Sequence, residues 1–180
     1  MEEKIVYFEK PGKQNTAEAL TLVKERALVR GIKKVVLAST RGGSAQAAAE
    51  ILDGTSVNLV VVPWQYGFGE QQPFPSDLAR KLRAEGHQVH FGTMLFHTDD
   101  LYGNNAPKAL ANILRVFGQG IKVCVEIIMM AADGGCVEIG EKIIAAAGTG
   151  IGTDTAVVAV ASSSNKISSL RLQEIICKPF

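Results

Sequence analysis

Val35-Val36-Leu37-Ala38-Ser39-Thr40-Arg41-Gly42-Gly43-Ser44 is the stretch on which the reading of this chain turns. It opens as an unbroken apolar run, the mark of a strand covered on both faces. It then breaks on hydroxyls, an arginine and two glycines. Ala45, Ala48, Ala49 and Leu52 follow at i, i+3, i+4 and i+7, which is one face of a helix. Strand, glycine turn and helix in that order form the opening of a parallel α/β unit.

A second stretch has the same entry and a different exit. Ile143-Ile144-Ala145-Ala146-Ala147 leads into Gly148-Thr149-Gly150-Ile151-Gly152-Thr153-Asp154-Thr155, and a strand from Ala156 to Ala161 follows. A link of roughly eight residues is too short for a parallel crossover, so these two strands are expected to form an antiparallel hairpin.

The rest of the chain extends the alternation. Ile5 to Phe8 reads as a first strand, ended by Pro11-Gly12. Asn15 is placed to cap a helix, with Glu18 as its capping-box partner, and the helix runs to about Arg30 before Gly31. Leu59 to Val62 is a third strand. Ser76 is expected to cap a short helix carrying Leu78 and Leu82, closed by Gly86. Val89-His90-Phe91 reads as a short fourth strand, and Gly92 to Asn104 as polar and irregular. Asn105 caps the next helix, with Pro107 near its start and Leu110, Ile113, Leu114 and Phe117 as an apolar stripe. From Ile121 to Asp133 two periods compete. Ile121, Val123, Val125 and Ile127 alternate as in a strand, whereas Val123, Ile127, Met130 and Ala131 fit a helix. Length and the Ala-Ala-Asp-Gly-Gly ending favour a buried helix. Ile175-Ile176-Cys177 is a last short strand. The sum is an α/β chain: a three-layer α/β/α sandwich over a mostly parallel sheet with an antiparallel C-terminal edge, in one domain spanning residues 1–180.

Composition narrows the function classes. The chain has 180 residues, 47% hydrophobic and 21% charged, as in globular proteins. A net charge of +1 gives no basic field for nucleic acid. No apolar run reaches the roughly 18 residues of a membrane span, and Met1-Glu2-Glu3-Lys4 lacks the layout of a signal peptide, so a cytoplasmic protein is expected. Cys124, Cys136 and Cys177 form no metal or redox spacing and read as core thiols. His97, Asp99 and Asp100 lie close together without a second cluster to complete a metal shell. No metal is expected. The motifs of triad hydrolases, zincins and P-loop NTPases are missing.

What remains is a phosphate chemistry. A helix N-terminus presents free N–H groups and partial positive charge, and glycine lets a ligand approach the backbone. In the first turn Ser39, Thr40 and Ser44, the N–H groups of Gly42, Gly43 and Ser44, and Arg41 are the candidate phosphate ligands. In the second turn the candidates are Gly148, Thr149, Gly150, Asp154 and Thr155. Lys10 to Thr16 also follows a strand and opens a helix, which adds Gly12 and Asn15, although a plain turn with a capped helix explains the same residues. Trp64-Gln65-Tyr66-Gly67-Phe68-Gly69 spaces aromatics with glycine. Gln65, Tyr66, Gly67 and Phe68 could line a flat ring such as a flavin or purine, or could cover the sheet edge or a homo-oligomer interface. Glu126 stands alone in an apolar stretch, as a base, a ligand contact or half of a buried pair.

The two turns together resemble the C-terminal domain of pyruvate kinase, the domain that carries that enzyme's regulatory site. V-V-L-A-S-T-R-G-G-S-A-Q (35–46) is similar to its strand, hydroxyl-and-glycine loop and helix, which bind an effector phosphate. I-I-A-A-A-G-T-G-I-G-T-D-T-A-V-V (143–158) is similar to its closing strand, effector loop and antiparallel strand, with Asp154 where an amide would stand. The likeness runs from about Thr16 to Ala161. It implies a stand-alone domain of this kind, without the catalytic barrel and hence without pyruvate kinase activity, holding a phosphorylated ligand. A carboxylate at 154 would repel a second phosphate but accept hydrogen bonds from hydroxyls or a ring N–H. With a phosphate at residues 40–44 and a ring near Tyr66 to Phe68 and the second glycine turn, flavin mononucleotide (FMN) is the leading ligand. The alternative is an enzyme acting on a phosphorylated metabolite, with Glu126, Asp154 or Lys10 as acid/base.

Overall fold

A computed structural model describes residues 2–180. Seven strands build one sheet: β1 (Val6–Phe8), β2 (Lys34–Ala38), β3 (Asn58–Val62), β4 (Gln88–Val89), β5 (Lys142–Ala147), β6 (Thr155–Val160) and β7 (Arg171–Pro179), in the order β1-β7-β6-β5-β2-β3-β4. β2 pairs in parallel with β3 and β5, β3 with β4, and β1 with β7. Among the described residues β6 alone runs the other way, antiparallel to both β5 and β7. The hairpin foreseen after Ala147 is there. It lies two places in from the edge it was expected to form, because β7, nine residues long, pairs outside β6 and carries β1 outside itself.

Alternation decides the two faces. Val35, Leu37, Leu59, Val61, Ile144 and Ala146 point to α1 (Thr16–Arg30), α2 (Gly43–Leu52) and α3 (Ser76–Ala84). Their neighbours Val36, Val60, Val62, Ile143, Ala145 and Ala147 point to α6 (Gln119–Asp133). This is the expected three-layer sandwich. A short α4 (Asp99–Tyr102) and α5 (Ala106–Arg115) lie outside α6, with Ala111 packed on Val125 and Met129. That double cover resolves the competing periods of 121–133. Ile121, Cys124, Ile127, Ile128 and Ala131 face the sheet while Val125 and Met129 face α5, so the helix has no broad solvent-facing polar side to reveal its period. Each fully buried Ile or Met contributes about 1.5–3 kcal/mol.

Helix starts depart from expectation. Asn15 closes a 3₁₀ turn over Lys13–Asn15 and already has helical angles, so its amide donates to the Lys10 carbonyl (2.7 Å) and no capping box with Glu18 forms. The helix after Pro75 starts at Ser76 itself, which makes Ser76 the first helical residue and not the cap. At α5 the side chain of Asn104, one residue before the expected Asn105, accepts the Ala106 N–H (3.1 Å). β4 ends at Val89. The His90 N–H still reaches the Val61 carbonyl (2.9 Å), and Phe91 leaves the sheet to pack with Tyr66 and Phe74. Arg26 on α1 pairs with Glu174 on β7, and Arg30 bridges Glu3 (2.7 Å) and Glu174 (3.3 Å), locking α1 to the edge strands. No helix among the described residues is long and apolar enough to cross a membrane.

Candidate functional site

The parallel strands all end at one rim, and the connections diverge there between β2 and β5. From β2 the chain turns through α2 toward β3; from β5 it turns the opposite way into β6. Leu37 and Ala146 are register partners, so the two glycine turns leave from adjacent strands roughly 5 Å apart. Open α/β sheets bind ligands in the crevice made by such a divergence.

The first turn presents its amides to that crevice. Gly42 occupies the left-handed region (φ +85°), and a Cβ there would run into Leu78 (2.5 Å), so the turn needs glycine for its shape and for its packing on the loop before α3. The first bond inside α2 runs from the Gln46 N–H to the Gly42 carbonyl. The Ala45 N–H is already taken by Ser39 Oγ (3.2 Å). Gly43 and Ser44 therefore stand in the unpaired first turn of the helix. Ser39 is buried in this internal bond, whereas Arg41 and Gly43 are exposed and Thr40 is half-buried. A Cβ at Gly43 would meet open space.

The second turn is used differently. Asp154 is fully buried and both its oxygens are occupied. Oδ2 accepts the N–H groups of Gly12 (2.9 Å) and Thr149 (3.1 Å), and Oδ1 accepts the hydroxyls of Thr155 (2.8 Å) and Thr149 (3.4 Å). The Thr153 N–H donates to Thr16 Oγ1 (3.0 Å). Gly152 (φ +88°) lies where a Cβ would be 2.6 Å from the Lys13 Cα, and a Cβ at Gly148 would strike the Gly152 carbonyl. Asp154, Thr149, Thr155 and Gly12 are thus a clasp between the first loop and the last turn. Asp154 has no oxygen left to act as acid/base, and Asn15 is spent on Lys10. Gly150 stays open and exposed. Lys10 is exposed on the same loop.

The aromatic loop after β3 folds over the other side of the rim. Trp64 and Phe68 meet edge to face (5.0 Å), Phe68 meets His97 (5.2 Å), and Tyr66 packs on Phe91 (4.8 Å) while remaining exposed. Gln65 Oε1 accepts the Met94 N–H (2.6 Å), which fixes the loop to the following segment. Phe91 in turn touches Phe74, and Phe74 lies against Gly42, so the aromatic loop and the first turn are joined through shared neighbours. Gly67 makes the turn between the two rings at φ +80°.

Beneath that loop lies a group that sequence reading half found. Glu126 is 3% exposed and its partner is Lys122, 2% exposed, one helical turn away (2.6 Å). Glu126 Oε1 also accepts the Phe96 N–H (2.9 Å), so the carboxylate is satisfied and closed off from ligand. Lys122 Nζ reaches His97 Nε2 (3.2 Å), and His97 is exposed. Burial of part of the ring and the Lys122 charge hold the His97 pKa below its ordinary value. The Lys-x-x-x-Glu spacing was the signal available in the sequence for this pair. All three thiols are pushed upward by burial, Cys177 to about 12, which leaves them protonated. No group of three or more metal-ligating side chains occurs among the described residues.

Two concavities occur among the described residues, one away from the two turns and one beside the second. A groove of about 470 Å³ between α2 and α3 carries Glu50, Asp53 and Glu85 against Lys81 and His87 in its lining, and Lys81 is paired with Glu85. A smaller one of about 150 Å³ opens at the second turn itself, lined by Thr149 and Thr155 together with Pro11, Gly118 and Lys178.

No family model matches the sequence. The structure is similar to Cryptosporidium parvum pyruvate kinase in complex with ADP, with 14% identity over 82% of this chain and 24% of that one and a TM-score of 0.45. A second pyruvate kinase structure from the same organism gives 14% identity, 82% and 23% coverage and a TM-score of 0.44. The likeness to pyruvate kinase foreseen from the two motifs is thus found, and the chain spans about a quarter of the length of the chains it matches.

Proposed function

We propose that this chain binds a phosphorylated small molecule at the carboxyl rim, with its phosphate on the first turn of α2 and its ring against the aromatic loop. The observation that carries the reading is the divergence of connections between β2 and β5, where the N–H groups of Gly43 and Ser44 precede the first hydrogen bond of α2 and lie beside Thr40 and Arg41. FMN is the proposed ligand. Its phosphate matches the helix N-terminus, and Tyr66 offers it an exposed aromatic face while Trp64 and Phe68 brace each other.

Calorimetric titration of the whole chain with FMN, riboflavin and a sugar bisphosphate tests this. FMN should bind, riboflavin far more weakly. Gly43→Asp, which puts a carboxylate at the helix N-terminus without a steric clash, should abolish FMN binding. Tyr66→Ala should cost about 1 kcal/mol for FMN and little for the sugar phosphate. Unchanged affinity in Gly43→Asp would remove the phosphate assignment, and a larger Tyr66→Ala loss for the sugar would remove the flavin.

A second reading, an enzyme acting on a phosphorylated metabolite, is favoured by one observation: an exposed His97, poised neutral, backed by a buried ammonium. In that reading His97 takes the acid/base part first considered for Glu126 and Asp154. Turnover lost in His97→Gln with ligand affinity retained would support it.

A further inference from the structure

His97 sits where a buried charge pair meets the aromatic loop. Lys122 Nζ lies 2.6 Å from Glu126 Oε2 and both side chains are almost fully buried, so the lysine is an ammonium with only N–H groups to offer. The same Nζ reaches His97 Nε2 (3.2 Å). The ammonium must donate, so Nε2 must accept, and the neutral imidazole carries its one proton on Nδ1. That imidazole also meets Phe68 edge to face (5.2 Å), and Phe68 braces Trp64 (5.0 Å).

We propose that His97 is a positioning residue for the aromatic loop: neutral, it holds Phe68 in place, and protonated, it releases it, so that ligand affinity at the loop falls in acid. This rests on the placement of the ligand's ring against that loop. A second proton on the imidazole falls on Nε2, the nitrogen that accepts from Lys122. Two cations then face each other where a hydrogen bond had been. The buried pair cannot give way. Lys122 is 2% exposed, and the other oxygen of Glu126 holds the Phe96 N–H (2.9 Å). His97 is exposed and is the group free to swing out. Its main chain stays, because its N–H donates to the Met94 carbonyl (3.0 Å). The root of the loop stays too, through Gln65 and the Met94 N–H (2.6 Å). What is lost is the contact with Phe68, and with it the brace on Trp64. Charges converge on His97 from three helices: Lys122 and Glu126 from α6, Arg115 from α5 and Asp99 from α4. Partial burial, Lys122 and Arg115 oppose the second proton, Glu126 and Asp99 favour it, and the pKa lies below its ordinary value. Release therefore belongs below about pH 6.5.

Trp64 is the single tryptophan of the chain and reports the loop without any ligand. Its emission should change in one step below about pH 6.5 while the far-ultraviolet circular dichroism stays constant. His97→Gln keeps an acceptor for Lys122 and cannot titrate, so its emission should match that of the neutral wild type and show no step. His97→Ala should give the acid-like emission already at neutral pH. Ring-nitrogen NMR, assigned by the signals lost in His97→Gln, should place the proton on Nδ1 at neutral pH and bring the second proton with the Trp64 step. FMN affinity should fall severalfold more on acidification in the wild type than in His97→Gln, a comparison in which the titration of the ligand's own phosphate cancels. A Trp64 emission that ignores the protonation of His97 would overturn the proposal. So would the same step in His97→Gln, a proton on Nε2 at neutral pH, or an FMN affinity with the same pH dependence in both chains. FMN binding at no pH, with the Trp64 step intact, would strike the placement of the ligand's ring and uphold the release of the loop.

Discussion

Asp154 sets the scale of what one residue holds. A buried carboxylate that accepts two backbone N–H groups and two hydroxyls joins residues that are 142 positions apart in the chain. Asp154→Ala strands all four donors, and charge-assisted bonds of this kind are worth more than neutral ones, so we expect a loss of about 3 kcal/mol or more in denaturant melts. Its neighbour should behave in the opposite way. The Thr153 hydroxyl is buried with no hydrogen-bond partner, so Thr153→Val, which keeps the shape, should be neutral or slightly stabilising, within about 1 kcal/mol. Reading Asp154 as a ligand contact was reasonable from its turn alone. Its true partner, Gly12, belongs to a loop that only the β1–β7 edge brings near, and local pattern carries no trace of that approach. The first turn was legible because its ingredients are all local: strand, glycines, helix.

Among the elements, α6 carries the greatest burden. Glu126→Gln would leave Lys122 charged without its counter-ion in the core, at a cost of roughly 3–5 kcal/mol, whereas Lys122→Met with Glu126→Leu should restore only part of it, because packed apolar groups replace the buried pair but the Phe96 N–H loses its acceptor. A chemical melt of the two variants beside the wild-type chain separates these outcomes. The same cluster makes stability respond to acid. His97 faces Lys122, Glu126, Arg115 and Asp99, and its folded pKa lies below that of the unfolded chain. The unfolded chain therefore takes up the proton first, and His97's contribution is complete above about pH 6.5 and declines as pH falls below it. The fall in melting temperature between about pH 7 and pH 5 should shrink in His97→Gln. In the second turn, Gly152→Ala meets both a strained φ and the Lys13 backbone and should cost at least about 2 kcal/mol. Gly150→Ala meets strain alone and should cost about 1 kcal/mol. Helix existence was legible from spacing, and α5's stripe correctly marked a helix. Which way that stripe faces was not, because periodicity reports a face and says nothing of what covers it.

For the whole molecule, alternation of strand and helix conveyed the sandwich, and the short link after Ala147 conveyed the hairpin. The order of strands in the sheet was hidden, since it depends on pairings between segments far apart. Its outermost pairing has a consequence in time. Val6 lies beside Cys177, so β1 has no neighbour among the described strands until β7 has emerged from the ribosome. Closing so long a loop is slow and entropically costly. Until then Tyr7 and Phe8 wait unsheltered, and Asp154 lacks the Gly12 half of its clasp. The edge should therefore be the last part of the sheet to become solid. In a refolding experiment with pulsed hydrogen exchange, amides of β2, β3 and β5 should gain protection first and those of β1 last, so that each molecule passes through an interval with an open seam along β7.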